Sequence, residues 1–344
     1  MRTRCSVPSK LILSGEHAVL YGCPALSMAI DLPTLCTLTD DEAILDTPRF
    51  EIKLKNFNLK QSFTFEQWQL RAEQVEQRFE TYVNDDGTIG SVLSDPFDLV
   101  LITLAKLDQI QPFSPANWQF EIESTAPIGR GLGSSAGVIV GVVKAVQAKL
   151  DWPMSIPETL ELAKQIESYQ HGLSSGIDPA TLLYGGLLKY QLHQPPQPLP
   201  AQPFQGWLID TGEPQSTTGE CVTWVKQHHQ NDKTLWEAFT QTTNQIEQAW
   251  SNQNQPALKQ AIKQNHELLC SIGVVPDKVR DFIGLLNDTY DAAGKICGAG
   301  SITGQQAGMV LCISQTSPEA LCREYSYPLW PVTIQSQGAR CELD

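Results

Sequence analysis

The sequence has no long apolar run. None of its segments approaches the roughly 20 apolar residues of a membrane-spanning helix. The first ten residues, Met1 to Lys10, carry charge but no apolar stretch as long as that of a signal peptide. From these two absences we expect a soluble, cytoplasmic protein.

Basic residues are also scarce. The chain has 24 Lys and Arg residues against 38 Asp and Glu residues, which gives a net charge of −14. Nucleic acids and anionic membranes bind basic faces, so neither is an expected partner. Any anionic ligand must then be held by a local cluster of hydrogen-bond donors.

Cysteine pairs with the spacing of a zinc site or a redox motif are absent. The nine cysteines include no C-x-x-C pair, and their number is odd. This pattern suits reduced thiols in a cytosol better than a disulfide framework. We expect all nine to be scattered, small, buried residues.

The length and the proline distribution predict two domains. A chain of 344 residues with 41% hydrophobic content can bury a large core. Residues 193–205 contain five prolines and show neither helical nor strand periodicity. We interpret them as a semi-rigid linker or surface crossing between a domain at residues 1–192 and a domain at residues 206–344.

A glycine-rich loop at residues 127–136 reads P-I-G-R-G-L-G-S-S-A. Upstream, Trp118, Phe120 and Ile122 alternate with polar residues as in a half-buried strand, and an apolar helical segment follows the loop. The order strand, glycine loop, helix N-terminus is that of a phosphate site. The loop is not a P-loop, because no lysine follows its last glycine. The alternative is a flexible loop before a core helix.

Two further segments place charge between apolar or small residues. Residues 10–21 read K-L-I-L-S-G-E-H-A-V-L-Y, in which Lys10, Glu16 and His17 stand among apolar residues and are costly to bury without partners. Residues 171–180 read H-G-L-S-S-G-I-D-P-A, with the isolated carboxylate Asp178 before a proline. The alternatives are a solvated surface for the first segment and a simple turn or helix cap for the second.

Together these segments resemble the GHMP kinases, the small-molecule kinases named after galactose, homoserine, mevalonate and phosphomevalonate. The loop P-I-G-R-G-L-G-S-S-A resembles their central motif, and S-K-L-I-L-S-G-E-H-A-V-L-Y-G-C-P-A-L resembles the first motif of the mevalonate kinase branch. The segment H-G-L-S-S-G-I-D is similar to the family segment that ends in the catalytic Asp. Gly298-Ala-Gly300 resembles the third motif, but Ser301, Ile302 and Thr303 then depart from its glycine run.

The resemblance implies a two-domain α/β (α+β) fold, with an N-terminal domain like domain 2 of ribosomal protein S5 and a ferredoxin-like C-terminal domain. It implies an active site in the cleft between them, ATP and Mg²⁺ as cofactors, and transfer of phosphate to the 5-hydroxyl of (R)-mevalonate in isoprenoid synthesis. It also allows a homodimer, as many members form.

The resemblance further assigns roles by position. Asp178 is the expected catalytic carboxylate, assisted by Lys10, and Ser135 with Glu167, eleven residues before Asp178, is the expected Mg²⁺ pair. The expected ATP-binding residues are Pro127, Gly129, Gly131, Leu132, Gly133, Ser134, Ser135 and Ala136. The expected acceptor-binding residues are Glu16, His17, Ser216, Thr217, Gly298, Ala299 and Gly300.

Alternatives within and outside this chemistry stay open because the third motif departs from the family pattern. A phosphomevalonate kinase would need extra Lys or Arg at the acceptor pocket, and a sugar or other alcohol kinase would need a different polar lining. A catalytically silent ligand sensor of the same fold would have lost Lys10, Glu167 or Asp178, and all three are present.

Overall fold

The computed structural model describes residues 2–40, 47–84, 88–114 and 117–343. Its strands are β1 (Arg2–Ser14), β2 (Ala25–Asp40), β3 (Arg49–Leu54), β4 (Leu59–Thr64), β5 (Trp118–Ser124), β6 (Leu187–Tyr190), β7 (Gln197–Leu199), β8 (Trp207–Asp210), β9 (Ala293–Ile296), β10 (Met309–Ile313), β11 (Leu329–Pro331) and β12 (Arg340–Leu343). Its helices are α1 (Phe65–Val83), α2 (Asp98–Ile110), α3 (Ser134–Lys149), α4 (Ile156–His171), α5 (Ile177–Tyr184), α6 (Thr218–His229), α7 (Lys233–Ser251), α8 (Gln255–Ser271), α9 (Asp277–Thr289) and α10 (Glu319–Tyr325).

The larger sheet is built on β1 and β2, which form a long antiparallel pair. Its main order is β12-β1-β2-β5-β3-β4, and the first part of β2 also pairs with β6, which pairs with β7. Helix α3 packs against β1 and β2 and against α2, α4 and α5. Because α3 is apolar on almost every side, this arrangement buries it in the core of the N-terminal part.

The smaller sheet has the antiparallel order β11-β8-β10-β9. Helices α7 and α8 pack on each other, and α8 and α9 contact β9. A separate apolar cluster joins the two sheets: Leu11 and Met28 of the larger sheet share it with Leu311 of the smaller one. This cluster therefore packs β1 and β2 of the larger sheet against β10 of the smaller one.

The chain crosses the predicted domain boundaries twice. Strand β7 lies within the proline-rich segment 193–205 and pairs with β6, and β12 returns from the C-terminal end to pair with β1. The domain division remains a prediction, with these two segments added to the N-terminal sheet.

The expectation that all nine cysteines are reduced is wrong for one pair. Cys5 and Cys341 face each other on β1 and β12 and form a disulfide, and the other seven are free thiols. The two positions are 336 residues apart, so no local spacing of cysteines could predict this pair. The expectation of buried, small residues is confirmed for six of the free cysteines.

Local patterns account for several elements. Residues 65–83 carry an amphipathic pattern and form α1, with a capping box between Thr64 and Gln67 at its start. The apolar residues 11–13 belong to the thirteen-residue β1, in which both faces are buried along much of the length, so the alternating pattern is lost. Helix α9 ends at Thr289, before β9.

Within the described ranges, no helix combines the length and the apolar character that crossing a membrane requires.

Candidate active site

The four segments singled out in the sequence meet at one cavity of 210 Å³. The first motif contributes Lys10, Glu16 and His17, and the glycine loop contributes residues from Gly129 to Ser135. The end of α4 and the start of α5 add Glu167 and Asp178, and the third motif adds Gly298 and Ala299.

The glycine loop fits its neighbours so closely that two of its positions admit no side chain. A Cβ atom on Gly131 would lie 2.6 Å from the Cys297 carbonyl oxygen, and one on Gly133 would lie 2.8 Å from Cγ of Lys10. Both residues also have a positive φ, of 83° and 75°. The loop is therefore fixed between the first motif and the third motif, with its backbone at the cavity wall.

The N-terminus of α3 opens onto this cavity without a cap. Its N-cap residue is Gly133, which supplies no side-chain hydrogen bond, whereas α1, α4 and α6 each begin with a full capping box. The first amides of α3 therefore keep their hydrogen-bonding capacity, and the positive end of the helix dipole lies beside them. Such an end suits a phosphate group.

Lys10 and Asp178 form the central ion pair. The Lys10 Nζ atom lies 2.9 Å from Oδ1 of Asp178, and the Lys10 side chain is almost completely buried. Asp178 stands in the first turn of α5, after the glycine N-cap Gly176, so the helix dipole also favours its charge. The Asp178 side chain is 20% exposed.

Glu167 is a buried carboxylate with an incomplete set of partners. Ser174 donates a hydrogen bond to its Oε2 atom. Burial, followed by the charge of Asp178, raises the pKa of Glu167 to about 8, and Ser174 and Lys10 only partly oppose this. Two carboxylates whose charges repel each other at the wall of one cavity favour the presence of another cation.

The residues around Glu167 fit a Mg²⁺ ion bound together with phosphates. Glu167 and Ser135 line the same cavity and offer oxygen ligands. Among the described residues, no group of three or more His, Cys, Asp or Glu side chains could hold a metal by itself. This agrees with the usual Mg²⁺ site at a nucleotide, where one or two carboxylates act with substrate phosphates.

A prediction follows from the raised pKa of Glu167. Between pH 4.5 and about 8 the folded state binds more protons than the unfolded state, so this residue lowers stability as the pH rises. Glu167→Gln in metal-free protein should raise the free energy of unfolding at pH 8 by about 2–4 kcal/mol, and should have little effect near pH 4.5.

Thermal unfolding with a chelator at both pH values measures this difference. Glu319→Gln, at an exposed helix position, is the matched control. An equal effect of Glu167→Gln at the two pH values would contradict the burial of an ionisable Glu167.

Glu16 and His17 are both buried and are held by the C-terminal part of the chain. Lys295 on β9 forms an ion pair with Oε1 of Glu16. The His17 Nε2 atom lies 3.0 Å from the Ala299 carbonyl oxygen, which can only accept, so Nε2 carries the proton. Burial lowers the pKa of His17, which favours the neutral ring, and the backbone of His17 has an unusual φ of 58°.

Some of the expected site residues lie elsewhere. Ser216, Thr217 and Gly300 line a neighbouring cavity of 400 Å³ on the other side of the glycine loop. The Thr217 hydroxyl accepts from the Glu220 amide as the N-cap of α6, and the Ser216 hydroxyl bonds to Thr303 at 3.0 Å. From this helix, Thr218 and Val222 reach the central cavity instead.

Three other members of the expected ATP-binding set do not line the cavities around the loop. Leu132 and Ala136 are buried in the apolar core, and Pro127 is not among the residues that line the cavities around the loop. The Leu132 carbonyl accepts from the Lys10 amide at 3.0 Å, which ties the loop to β1.

A second, more apolar cavity adjoins the loop. Its volume is 480 Å³, and it shares Gly129, Ser134, Ser135 and His171 with the central cavity. Its apolar lining includes Phe57, Leu99, Val100 and Val138. The uncapped end of α3 therefore lies between an apolar chamber and a charged one.

Sequence reasoning missed three residues of the site. Ser174 orients Glu167, the Nε2 atom of His171 lies 3.5 Å from the Ser135 hydroxyl, and Lys295 pairs with Glu16. His171 and Ser174 stand within the quoted segment H-G-L-S-S-G-I-D, so the signal was present there. Lys295 is a single lysine in a strand of apolar and small residues before Cys297. This isolated charge was the only feature of the sequence that could have indicated a functional role for Lys295.

Comparisons with known proteins agree with this architecture. Residues 98–186 match the family described as GHMP kinases N terminal domain. The mevalonate kinase of Pyrococcus abyssi is 29% identical over 86% of this chain and 85% of its own length, and that of Saccharolobus solfataricus is 25% identical over 98% of both chains. The crystal structure of the Methanococcus jannaschii mevalonate kinase superposes with a TM-score of 0.75 at 21% identity, covering 97% of this chain and 98% of that one.

The matched segment contains β5, the glycine loop, α3 and Asp178, which are the elements that form one side of the cavity. The structural similarity extends over nearly the whole chain, so the expected α/β fold is confirmed. The resemblance to GHMP kinases that the three motifs predicted is confirmed by the match of residues 98–186 to the N-terminal domain of that family.

Proposed function

We propose that the protein is an ATP-dependent mevalonate kinase, which transfers the γ-phosphoryl group of ATP to the 5-hydroxyl of (R)-mevalonate. The observation that carries the proposal is the Lys10–Asp178 ion pair, which lies in one cavity with the uncapped N-terminus of α3. The mevalonate kinases among the relatives, similar over most of the chain, support the choice of acceptor.

The glycine loop would bind the phosphates of ATP. Phosphoryl transfer requires positioning and charge neutralisation more than covalent chemistry by the protein. The free amides at the start of α3 and the Ser134 and Ser135 hydroxyls offer donors to the phosphate oxygens. Because Gly131 and Gly133 are fixed against Cys297 and Lys10, these donors are already in place before the ligand arrives.

Asp178 would accept a hydrogen bond from the acceptor hydroxyl and orient its oxygen toward the γ-phosphorus. An unperturbed Asp has a pKa of about 3.9, far below that of an alcohol, so it takes the proton only as the transfer proceeds. The Lys10 ammonium, 2.9 Å away, pairs with Asp178 and would stabilise the negative charge of the reacting oxygens.

Ser135 and Glu167 would hold Mg²⁺ with the phosphates. When bound, the ion would neutralise phosphate charge during transfer. Ser174 keeps the Glu167 carboxylate in a fixed orientation toward this position.

The lining of the central cavity favours mevalonate over the other acceptors. Lys10 is its one lysine or arginine among the described residues, and Lys10 is engaged by Asp178, so no spare cation is present for a second phosphate. Its apolar side chains suit a methyl-bearing acid better than a sugar with a hydroxyl on each carbon. These side chains are Ile12, Val19, Leu20, Leu173, Ile177 and Val222.

The adjoining apolar cavity would take the nucleoside of ATP, and this gives a prediction. Val138→Phe places a larger side chain in that cavity from the half-buried Val138 position on α3. We expect the KM for ATP to rise about 10-fold or more, since overpacking a binding pocket costs about 1–3 kcal/mol, while the KM for mevalonate changes little. Steady-state kinetics with each substrate varied in turn measures the two constants.

Val83→Phe, at the exposed end of α1, is the matched control and should behave as wild type. An unchanged KM for ATP in Val138→Phe would exclude this cavity as the nucleoside site.

A coupled assay of ADP release tests the proposed function. Purified protein is given Mg·ATP with mevalonate, 5-phosphomevalonate, galactose or homoserine in separate reactions. Turnover with mevalonate alone is the expected result. Turnover with another acceptor and none with mevalonate would keep the kinase chemistry and reject mevalonate as acceptor. Release of ADP at one rate in all reactions would reject the kinase assignment.

The cytoplasmic location of the protein and its assembly as a homodimer stay predictions.

A further inference from the structure

Lys295 is a completely buried lysine in the middle of the molecule. It belongs to β9, and its side chain has no solvent-accessible surface. Its ammonium group donates to the carbonyl oxygens of Ile12 at 3.0 Å and Ile296 at 2.8 Å, and to Oε1 of Glu16. All three donors of the ammonium are therefore used, and Glu16 supplies the negative charge among the acceptors.

The partner of Lys295 has an unused oxygen. The Oε2 atom of Glu16 is buried and has no hydrogen-bond partner among the described residues, although Glu16 lines the central cavity. The Nδ1 atom of the adjacent His17 is also buried and also has no hydrogen-bond partner among the described residues. Buried polar atoms without partners are rare, because each costs the desolvation of that group. Two such atoms on neighbouring residues that both line the cavity indicate that a ligand completes them.

We propose that Lys295 is a positioning residue for the acceptor: it binds one oxygen of Glu16 so that the other oxygen accepts a hydrogen bond from the substrate alcohol. This rests on the proposed kinase function and adds to it a residue outside the three motif segments. Lys295 does not touch the substrate and acts through Glu16.

The charge of Lys295 has a second consequence for the reacting groups. Lys10 is the other cation that acts on the Glu16 carboxylate. While Lys295 neutralises Glu16, Lys10 stays with Asp178 at 2.9 Å. Without Lys295, Glu16 would either take up a proton or compete with Asp178 for Lys10. Lys295 thus separates the acceptor-binding carboxylate from the catalytic one.

A purely structural role for Lys295 is the alternative, because its bonds to Ile12 and Ile296 connect β1 to β9. The two roles differ in their dependence on Glu16. A clamp between two strands would work whether or not Glu16 is charged, whereas a positioning role requires the Glu16 carboxylate.

A double-mutant cycle of Lys295→Met, Glu16→Gln and the double variant separates these roles. The acceptor is mevalonate or whichever alcohol the wild-type protein phosphorylates, and ATP binding is measured by calorimetry in parallel. We expect Lys295→Met and Glu16→Gln each to lower kcat/KM for the acceptor by about 10- to 100-fold, as loss of a charge-assisted hydrogen bond does. The Kd for ATP should stay within about twofold of wild type, because the nucleotide contacts lie on other residues.

The double variant should be no worse than the poorer single variant. The double variant removes both buried charges together and leaves neither unpaired, so we expect it to fold even if Lys295→Met alone does not. In that case its kcat/KM should equal that of Glu16→Gln. Lys189→Met is the matched control, because it removes a lysine from a half-buried ion pair with Glu247 away from the cavities around the glycine loop.

Wild-type acceptor kinetics in Lys295→Met would overturn the proposal. The proposal would also be overturned if the fold-losses in kcat/KM of the two single variants multiplied in the double variant. It would be overturned, too, if Lys295→Met weakened ATP binding as much as it lowered kcat/KM for the acceptor. Either result would assign Lys295 to the clamp. A wild-type protein that phosphorylates none of the acceptors is a different result, because it rejects the proposed function before any variant is compared.

Discussion

Asp178→Asn should lower kcat by about 10³-fold, within the 10²- to 10⁴-fold range of positioned acid–base groups. Asparagine keeps the shape of the side chain but offers no charge to Lys10 and no carboxylate to the acceptor hydroxyl. The helix start, the glycine loop and Glu167 are unchanged, so the Kd for ATP should stay close to that of wild type. Steady-state turnover and calorimetry on the same preparation measure the two effects.

Asp291→Asn is the matched control for this substitution. Asp291 is an exposed aspartate paired with Lys259 on the far side of the C-terminal part, and its positive φ of 45° suits asparagine equally well. It should turn over as wild type. Wild-type kcat in Asp178→Asn would remove Asp178 from the reaction.

Lys10→Met should cause a loss of similar size, about 10³-fold in kcat, since removal of one preorganised electrostatic donor costs about 10²- to 10³-fold. Lys10 is the buried cation that pairs with Asp178, and it also acts on Glu167 and Glu16. Without it, three carboxylates share the cavity with no cation in contact with Asp178. We therefore expect a loss in kcat together with a raised pKa of Glu167.

Lys10→Arg should fail to restore activity. The Lys10 stem packs against the glycine loop, with Cγ 2.8 Å from the position that a Gly133 Cβ would take, and a planar guanidinium presents its donors differently from the single Nζ atom that contacts Asp178. Lys53→Met, which removes an exposed ion pair with Glu121, is the control for loss of a lysine. Activity of Lys10→Arg near that of wild type would contradict the close fit of the loop around Lys10.

The chemically distinctive residues were predictable from sequence because each stood out against its neighbours. Asp178, Lys10 and Glu167 are charged residues in apolar or small-residue surroundings, and the structure brings them to one cavity. Thr217 shows the converse. The resemblance placed it among the acceptor-binding residues, whereas a hydroxyl residue just before a helix is typical of a plain N-cap, and its hydroxyl caps α6.

The features that sequence did not reveal depend on contacts between distant parts of the chain. Lys295 lies in a short strand whose other residues are apolar or small, and only the arrival of β1 supplies Glu16 as its partner, 279 residues earlier. The pairing of β12 with β1, and with it the Cys5–Cys341 disulfide, has the same origin. Propensity and periodicity describe neighbours along the chain, so pairings of this kind are outside their reach.

The most direct measurement is transfer of label from γ-labelled ATP in a single turnover, with protein in excess over ATP and with (R)-mevalonate present or absent. The central claim is that the Lys10–Asp178 pair passes the phosphoryl group to the mevalonate hydroxyl. It predicts label in 5-phosphomevalonate, equal in amount to the ADP formed, and almost none in the same time with Asp178→Asn. Label that appears only as inorganic phosphate, at one rate with or without mevalonate, would contradict the claim.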